Sequence, residues 1–328
     1  MILSIIIPVF NVEKYIKQCI LSVVNNNLPA TDYEIIVIDD ESPDRSVFII
    51  QKLMVIYDQI KLISQQNKGL GGARNTGIQN ANGKYILFLD SDDYLMGNSL
   101  NNIVNYCLKW DLDILEFGAV GVTENKKEIY RYSNKAKQIN NGFQYLSNNV
   151  SMNSACNKLY NVKFLKEQGL QFIEHLFGED FEFNTRAFYY AKRVSCVNNI
   201  LGCFVQTPNS ITRNSSIVKN EKLIHDLKKN IELAIVFFKT IDKKVELNKL
   251  IINERIAYLT LTLLFNMYKL NISKNIRDAY IQELKDLKVY PIKVKIKSRK
   301  KNLFKHLANI ELLYGLICDV KSSLLKKN

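Results

Sequence analysis

The chain has 328 residues, 47% of them hydrophobic, with 45 Lys and Arg against 32 Asp and Glu for a formal net charge of +13. At ~150 residues per domain that length holds one large core plus a second, smaller unit, and the composition reads as globular throughout. No apolar run approaches the ~20 residues that cross a bilayer, and the opening MILSIIIPVFN has neither a basic n-region nor a cleavage site, so a cytosolic location is expected.

In chain order, SIIIPVF at 4 to 10 is a short apolar run with β-branched residues, followed by VEKYIKQCILSVVNN with apolar residues at helical spacing. The same order of strand and helix recurs. EIIVID at 34 to 39 precedes SVFIIQKLMVIYD at 46 to 58, IKLISQ at 60 to 65 precedes GLGGARNTGIQNA at 69 to 81, and KYILFLD at 84 to 90 precedes NSLNNIVNYCLKW at 98 to 110. Four such units predict an α/β fold with a doubly wound, mainly parallel sheet. DILEFG at 113 to 118 reads as a fifth strand. The polar, Asn-rich stretch from about 119 to 150 reads as an antiparallel excursion or a loop region.

Residues 153 to 168 read as a turn and helix, FGEDFEFNTRAFYYAKR as a helix with its acids in the first turn, and CVNNILGCFVQ as a further strand. After about 219 the pattern changes to long helices. The expected organisation is a catalytic domain over 1–218, with a nucleotide-binding half (1–118) and an acceptor-side half (119–218), then a helical, basic region over 219–328. Six scattered cysteines without a C-x-x-C pair fit reduced, packed thiols rather than disulfides or zinc.

Two strands run apolar and stop on acids, EIIVIDDES and KYILFLDSDD. Carboxylates at the carboxyl ends of parallel strands lie where an open α/β sheet binds its ligand, and such a set suits Mg²⁺ or Mn²⁺ with a diphosphate. Asp92 or a neighbour could hold the cation, and Asp90 could accept from a ribose. The competing reading of Ser91, Asp92 and Asp93 is a helix N-cap, and DDESPD is equally good turn chemistry for Asp39 and Asp40. NKGLGGARNTG at 67 to 77 could turn backbone amides toward an anion, with Arg74 as a fork. It matches neither the Walker A spacing nor the position of a dinucleotide fingerprint. Glu179 and Asp180 are either helix caps or, if the fold brings them to the acids above, candidate bases.

Taken in order, SIIIPVFN, VIDDESPD, NKGLGGARNTGI, FLDSDD, CNKLY and GEDFEF resemble the motifs of glycosyltransferase family 2, over roughly residues 1 to 215. The resemblance implies a GT-A fold and an inverting transfer from a nucleotide-sugar donor, by default a UDP-sugar, to a saccharide or lipid-linked saccharide in surface polysaccharide synthesis. It implies that Pro8, Val9 and Phe10 line the base, with Asp40, ahead of Asp39, accepting from its ring nitrogen. Arg74 would lie over the base or phosphates and Asp90 on the ribose, with Asn67, Gly69 and Ser91 also binding the donor, Asp92 on Mn²⁺ or Mg²⁺, and Asp180, with Glu179 beside it, as the general base. Two departures stand out. Glu41 occupies a place where glycine is usual, and Gln206 and Thr207 replace an aromatic and basic pair, which leaves Arg213 to supply charge to the diphosphate.

Residues 285 to 305 hold nine Lys and Arg against one acid, Asp286, and are followed by apolar positions at near-helical spacing from Leu303 to Val320. A basic amphipathic helix of this kind either lies on an anionic membrane surface, which would make the protein peripheral to the inner face of the membrane, or packs on the catalytic domain. Two other functions compete with glycosyl transfer. A nucleotidyltransferase should show a Gly-rich basic loop after the first strand, where this chain has PVFNVEKY. A nucleic-acid binder should interleave its basic cluster with a stacking platform, so no nucleic-acid partner is expected.

Overall fold

The four expected strand–helix units are β1 (Leu3–Val9), α1 (Ile16–Val24), β2 (Tyr33–Asp39), α2 (Ser46–Met54), β3 (Ile60–Ser64), α3 (Gly69–Asn80), β4 (Tyr85–Phe88) and, after the two-residue strand β5 (Tyr94–Leu95), α4 (Leu100–Trp110). The computed structural model describes residues 1–135, 138–207 and 216–325. β1 runs parallel to β2 on one side and to β4 on the other, and β3 runs parallel to the far edge of β2. All seven residues of β1 are buried because the strand is covered on both faces. Leu3, Ile5, Ile7 and Val9 join Ile16, Cys19, Ile20 and Val23 of α1 in one core. On the opposite face, a Cβ at Gly77 of α3 would come within 2.3 Å of Ile6 Cγ2, so glycine there lets the helix lie close on the sheet. Each fully buried Ile or Val contributes ~1.5–3 kcal/mol relative to exposure.

The sheet continues through β6 (Ile114–Thr123), β7 (Glu128–Tyr132), β8 (Lys158–Asn161) and β9 (Val194–Gln206), interleaved with α5 (Gly142–Asn148), α6 (Val162–Glu167) and α7 (Glu179–Tyr190). The strand order is β3-β2-β1-β4-β8-β6-β9-β5, with β7 on β6. The first four strands are all parallel, whereas the other half is mixed: β8 is antiparallel to both β4 and β6, and β9 is parallel to β6. The polar 119–150 stretch contains both an antiparallel excursion, β7, and the helix α5, which Asn141 caps by accepting from the Gln144 amide at 2.9 Å.

One expectation is corrected here. Residues 158–161 were read as part of a turn and helix, but they form the strand that joins the two halves of the sheet. Four residues that open on a lysine carry no period, and this lysine is buried rather than solvated.

By internal contacts the chain divides into two compact units, Met1–Ser210 and Ile211–Asn328. The second contains α8 (Ile217–Thr240), α9 (Glu246–Lys269), α10 (Lys274–Asp286), α11 (Arg299–Ala308) and α12 (Glu311–Leu325). The single amphipathic helix expected at its end is two helices. Asn309 interrupts it by turning its side chain to the Ile292 peptide, accepting from the Ile292 N–H at 2.8 Å and donating to its carbonyl at 2.9 Å. Within this unit α12 is anchored by the Tyr314 hydroxyl, which donates to Leu264 O at 2.6 Å, and by the Arg277–Asp319 pair at 2.8 Å. All six cysteines are free and buried, as expected of packed thiols.

Candidate active site

Parallel registry brings the carboxyl ends of β1, β2 and β4 to one edge, where Val9 lies level with Asp39 and the Leu89 amide donates to Ile6 O. The acids that follow β2 and β4 therefore meet. DSDD is a turn closed by the Asp93 amide on Asp90 O at 2.9 Å, and it leads into β5. These acids cap no helix, because α4 starts later with Ser99 at its N-cap. Asp93 points inward and accepts from the Val205 amide at 2.7 Å; Ser91 is buried, and Asp92 and Asp90 are half-buried.

Asp90 reaches the centre of the site. Arg74, only 1% exposed, donates from Nη2 to Asp90 Oδ1 and from Nη1 to Glu179 Oε1 and Asp180 Oδ1, each at 2.7 Å. Its guanidinium lies over Phe172 at 5.2 Å and Phe88 at 6.0 Å, and Nη2 also lies 3.7 Å from Cys156 Sγ. The fork expected to face the donor is thus occupied by three protein carboxylates. The glycines of α3 likewise serve packing. A Cβ at Gly71 would lie 2.5 Å from Ile173 O, so the glycine admits the 172–173 backbone, which Asn75 holds by hydrogen bonds in both directions.

Three carboxylates around one guanidinium leave excess negative charge. Burial, followed by the neighbouring Asp180, pushes Glu179 up to about 7. Asp180 is also raised, by burial and by Asp90, against the pull of Arg74. Burial alone would lower the Arg74 pKa, and Asp180 and Asp90 more than reverse that. Both acids lie in the first turn of α7, where the helix dipole favours negative charge. Asp180 is the more accessible, its side chain 22% exposed against 7% for Glu179, and its Oδ2 accepts from the Ala155 amide at 2.9 Å.

The acids of the second strand form a separate cluster. Asp40 Oδ1 accepts from Gln65 Nε2 at 2.7 Å and from the Lys68 amide at 2.8 Å, while Asn67 Nδ2 donates to Asp40 O at 3.0 Å. Asn67 Oδ1 accepts from the Gly69 amide at 3.2 Å. Asp39 Oδ1 accepts from the Ser42 amide at 2.9 Å and so anchors the turn. Pro8 is buried within β1, and Phe10, just beyond it, is 51% exposed. The Val9 side chain, expected to line the base, instead packs in the core under α1. Arg213 lies outside the described residues.

Glu41 keeps the left-handed conformation that the absent glycine would have taken, with φ +65°. That conformation costs an L residue about 1–2 kcal/mol, against about 0.5–1 kcal/mol of extra chain entropy for glycine. Glu41→Gly should therefore stabilise the protein by about 0.5 kcal/mol in urea unfolding, and Glu41→Ala, which keeps its Cβ, should not.

Two buried charges carry no functional signal in the sequence. Glu116 and Lys158 form a buried pair at 3.2 Å behind residues 151–157. Only the CNKLY string marked this place, and it carried no role.

Comparison with known proteins agrees with this geometry. The sequence model of glycosyl transferase family 2 matches residues 4–169. The glycosyltransferase EpsJ of Bacillus subtilis is 30% identical over 244 residues, covering 72% of this chain and 70% of that protein. A poly(ribitol-phosphate) beta-glucosyltransferase of Bacillus spizizenii is 33% identical over 196 residues, 59% of this chain but only 30% of that longer protein. Crystal structures of Staphylococcus aureus TarS 1-349 with UDP and with UDP-GlcNAc superpose with TM-scores of 0.71 and 0.72 at 21% identity, covering 98% of this chain and 92% of that one. The chain therefore belongs to glycosyl transferase family 2 and is a glycosyltransferase with the GT-A fold.

Proposed function

We propose that this enzyme moves a sugar from a UDP-sugar, with inversion, to a hydroxyl of a saccharide or lipid-linked saccharide during surface polysaccharide synthesis. The observation that carries the reading is the gathering of Asp90 and Asp180 on one buried guanidinium, at the sheet edge where the parallel strands end. Asp180 takes the proton of the acceptor hydroxyl as its oxygen bonds to the anomeric carbon. The bond from that carbon to the diphosphate oxygen breaks on the opposite face, and UDP leaves with the electron pair. A carboxylate raised toward neutral pH suits the task, since a base works best when its pKa is near the working pH. UDP and UDP-GlcNAc in the TarS structures support uracil as the base and a UDP-N-acetylhexosamine as one donor to test.

Among the described residues no three His, Cys, Asp or Glu side chains gather into a metal cage. The half-buried carboxylates of Asp92 and Asp90 still fit Mg²⁺ or Mn²⁺, which rest on one or two carboxylates plus substrate phosphates. Such a cation, when bound, would neutralise charge on the diphosphate. Calorimetric titration should show UDP binding that strengthens with Mn²⁺ and loses that dependence in Asp92→Ala. Equal UDP affinity with and without Mn²⁺ in the parent protein would remove the metal from the proposal.

No helix among the described residues is long and apolar enough to cross a membrane. α12 nonetheless presents Leu312 (89% exposed), Leu316 (62%), Val320 and Leu324 at four-residue spacing, on the side away from Tyr314 and Cys318. The basic 285–305 segment of the same unit repels a second copy of itself and complements an anionic lipid surface. The full chain should float with vesicles containing phosphatidylglycerol and not with purely zwitterionic ones. Leu312→Glu/Leu316→Glu should reduce flotation severalfold, and flotation unchanged in that variant would eliminate α12 as the contact.

A further inference from the structure

Glu116 and Lys158 face each other across the β6–β8 pairing, both essentially inaccessible to water. An isolated buried pair is a poor source of stability, because desolvation offsets its attraction and an apolar pair would pack as well. Here the pair is connected to the site. Glu116 accepts from the hydroxyls of Tyr132 and Ser151 at 2.8 Å, from Tyr145, and from the Met152 amide at 3.1 Å. Lys158 Nζ donates to Met152 O and Ser154 O at 2.7 Å and to Asn157 Oδ1 at 2.8 Å.

The Ser154 carbonyl and the Ala155 N–H belong to the same peptide unit. In a trans peptide these groups point in opposite directions within one rigid plane. Its oxygen end is held by the Lys158 ammonium at 2.7 Å, and its N–H end donates to Asp180 Oδ2 at 2.9 Å. Both bonds are charge-assisted, and both align the peptide dipole from cation to carboxylate. On the other side of the carboxylate, Arg74 fixes Oδ1.

We propose that Lys158 is a positioning residue for sugar transfer, setting the place and proton affinity of Asp180 through the Ser154–Ala155 peptide, with Glu116 holding the lysine in register. This rests on the reading of Asp180 as the base. The lysine touches neither donor nor acceptor, so its removal should act on the chemical step and not on donor binding.

The test uses Glu116→Gln/Lys158→Met, which removes both charges and leaves no lone buried ion, alongside Glu116→Gln. The reaction is hydrolysis of UDP-GlcNAc, with water as acceptor and Mn²⁺ present, followed from pH 5 to 9. A folded double variant should keep its KM for UDP-GlcNAc within about twofold while kcat falls by roughly 10²-fold, the scale expected when a catalytic group is displaced. Its acid limb should move to higher pH, because loss of the ammonium and of the anchored N–H makes the carboxylate easier to protonate; Glu116→Gln removes an anion and keeps the ammonium, so its limb should not rise. A folded double variant with the parent kcat, or with a lower kcat and an unmoved acid limb, overturns the proposal. Asp180→Asn separates the two claims. If it retains turnover, both the base and its positioning residue fall; if it is inactive while the double variant is unaffected, only Lys158 loses its role.

Discussion

Asp180→Asn should lower sugar transfer by roughly 10²–10⁴-fold, the usual contribution of a positioned general base, while UDP affinity stays near that of the parent protein. The amide keeps the size of the carboxylate and can still accept from Arg74 through its oxygen, so folding should survive. Isothermal titration of UDP and release of UDP from the sugar nucleotide separate the two effects. Turnover near the parent level would assign proton removal to another group. The pH profile adds a second reading. Since burial and Asp90 raise Asp180, the acid limb of kcat/KM should lie above that of an ordinary aspartate. Glu179, pushed up to about 7, is itself protonated over that limb, so Glu179→Gln should leave the limb nearly unmoved.

Arg74→Met should be among the most destabilising single changes in the chain. Arg74 is buried, and it is the cation hydrogen-bonded to Asp90, Glu179 and Asp180. Breaking a buried pair from one side typically costs about 3–5 kcal/mol, which for a domain of this size is a fall in melting temperature of roughly 10 °C. The loss should depend on pH. Unfolded carboxylates titrate at about pH 4, and in the folded variant burial and mutual repulsion hold Glu179 and Asp180 above that value. Between those limits the folded state binds more protons than the unfolded chain, so stability falls as pH rises through the folded values. Scanning calorimetry should find the variant closer to the parent protein at pH 5 than at pH 8. A variant that melts like the parent but loses UDP affinity would return Arg74 to the donor.

Local patterning made the parallel half of the fold legible. β1, β2 and β4 are buried on both faces, so they read as largely apolar runs, and β2 and β4 lead directly into acids that a buried strand interior would exclude. β8 had no such signature. It is four residues long and opens on Lys158, whose charge marks it as solvated until Glu116, forty-two positions earlier, is seen to receive it. The same limit explains Arg74. A basic residue in a glycine-dense segment before a helix is the pattern of an anion site, and only the arrival of Glu179 and Asp180 from more than a hundred residues away shows what fills its fork.

The sequence by itself determined the order of strands and helices in the parallel half, the acids at the carboxyl ends of β2 and β4, and the family to which they belong, because apolar period and turn chemistry act over a few residues. Tertiary structure decided which charges meet. It placed Val9 in the core, turned Arg74 inward, split the terminal amphipathic stretch at Asn309, and joined Lys158 to Asp180 through one peptide. Those outcomes depend on pairing and burial between distant segments, where desolvation makes a charge find its partner, and no local pattern encodes that choice.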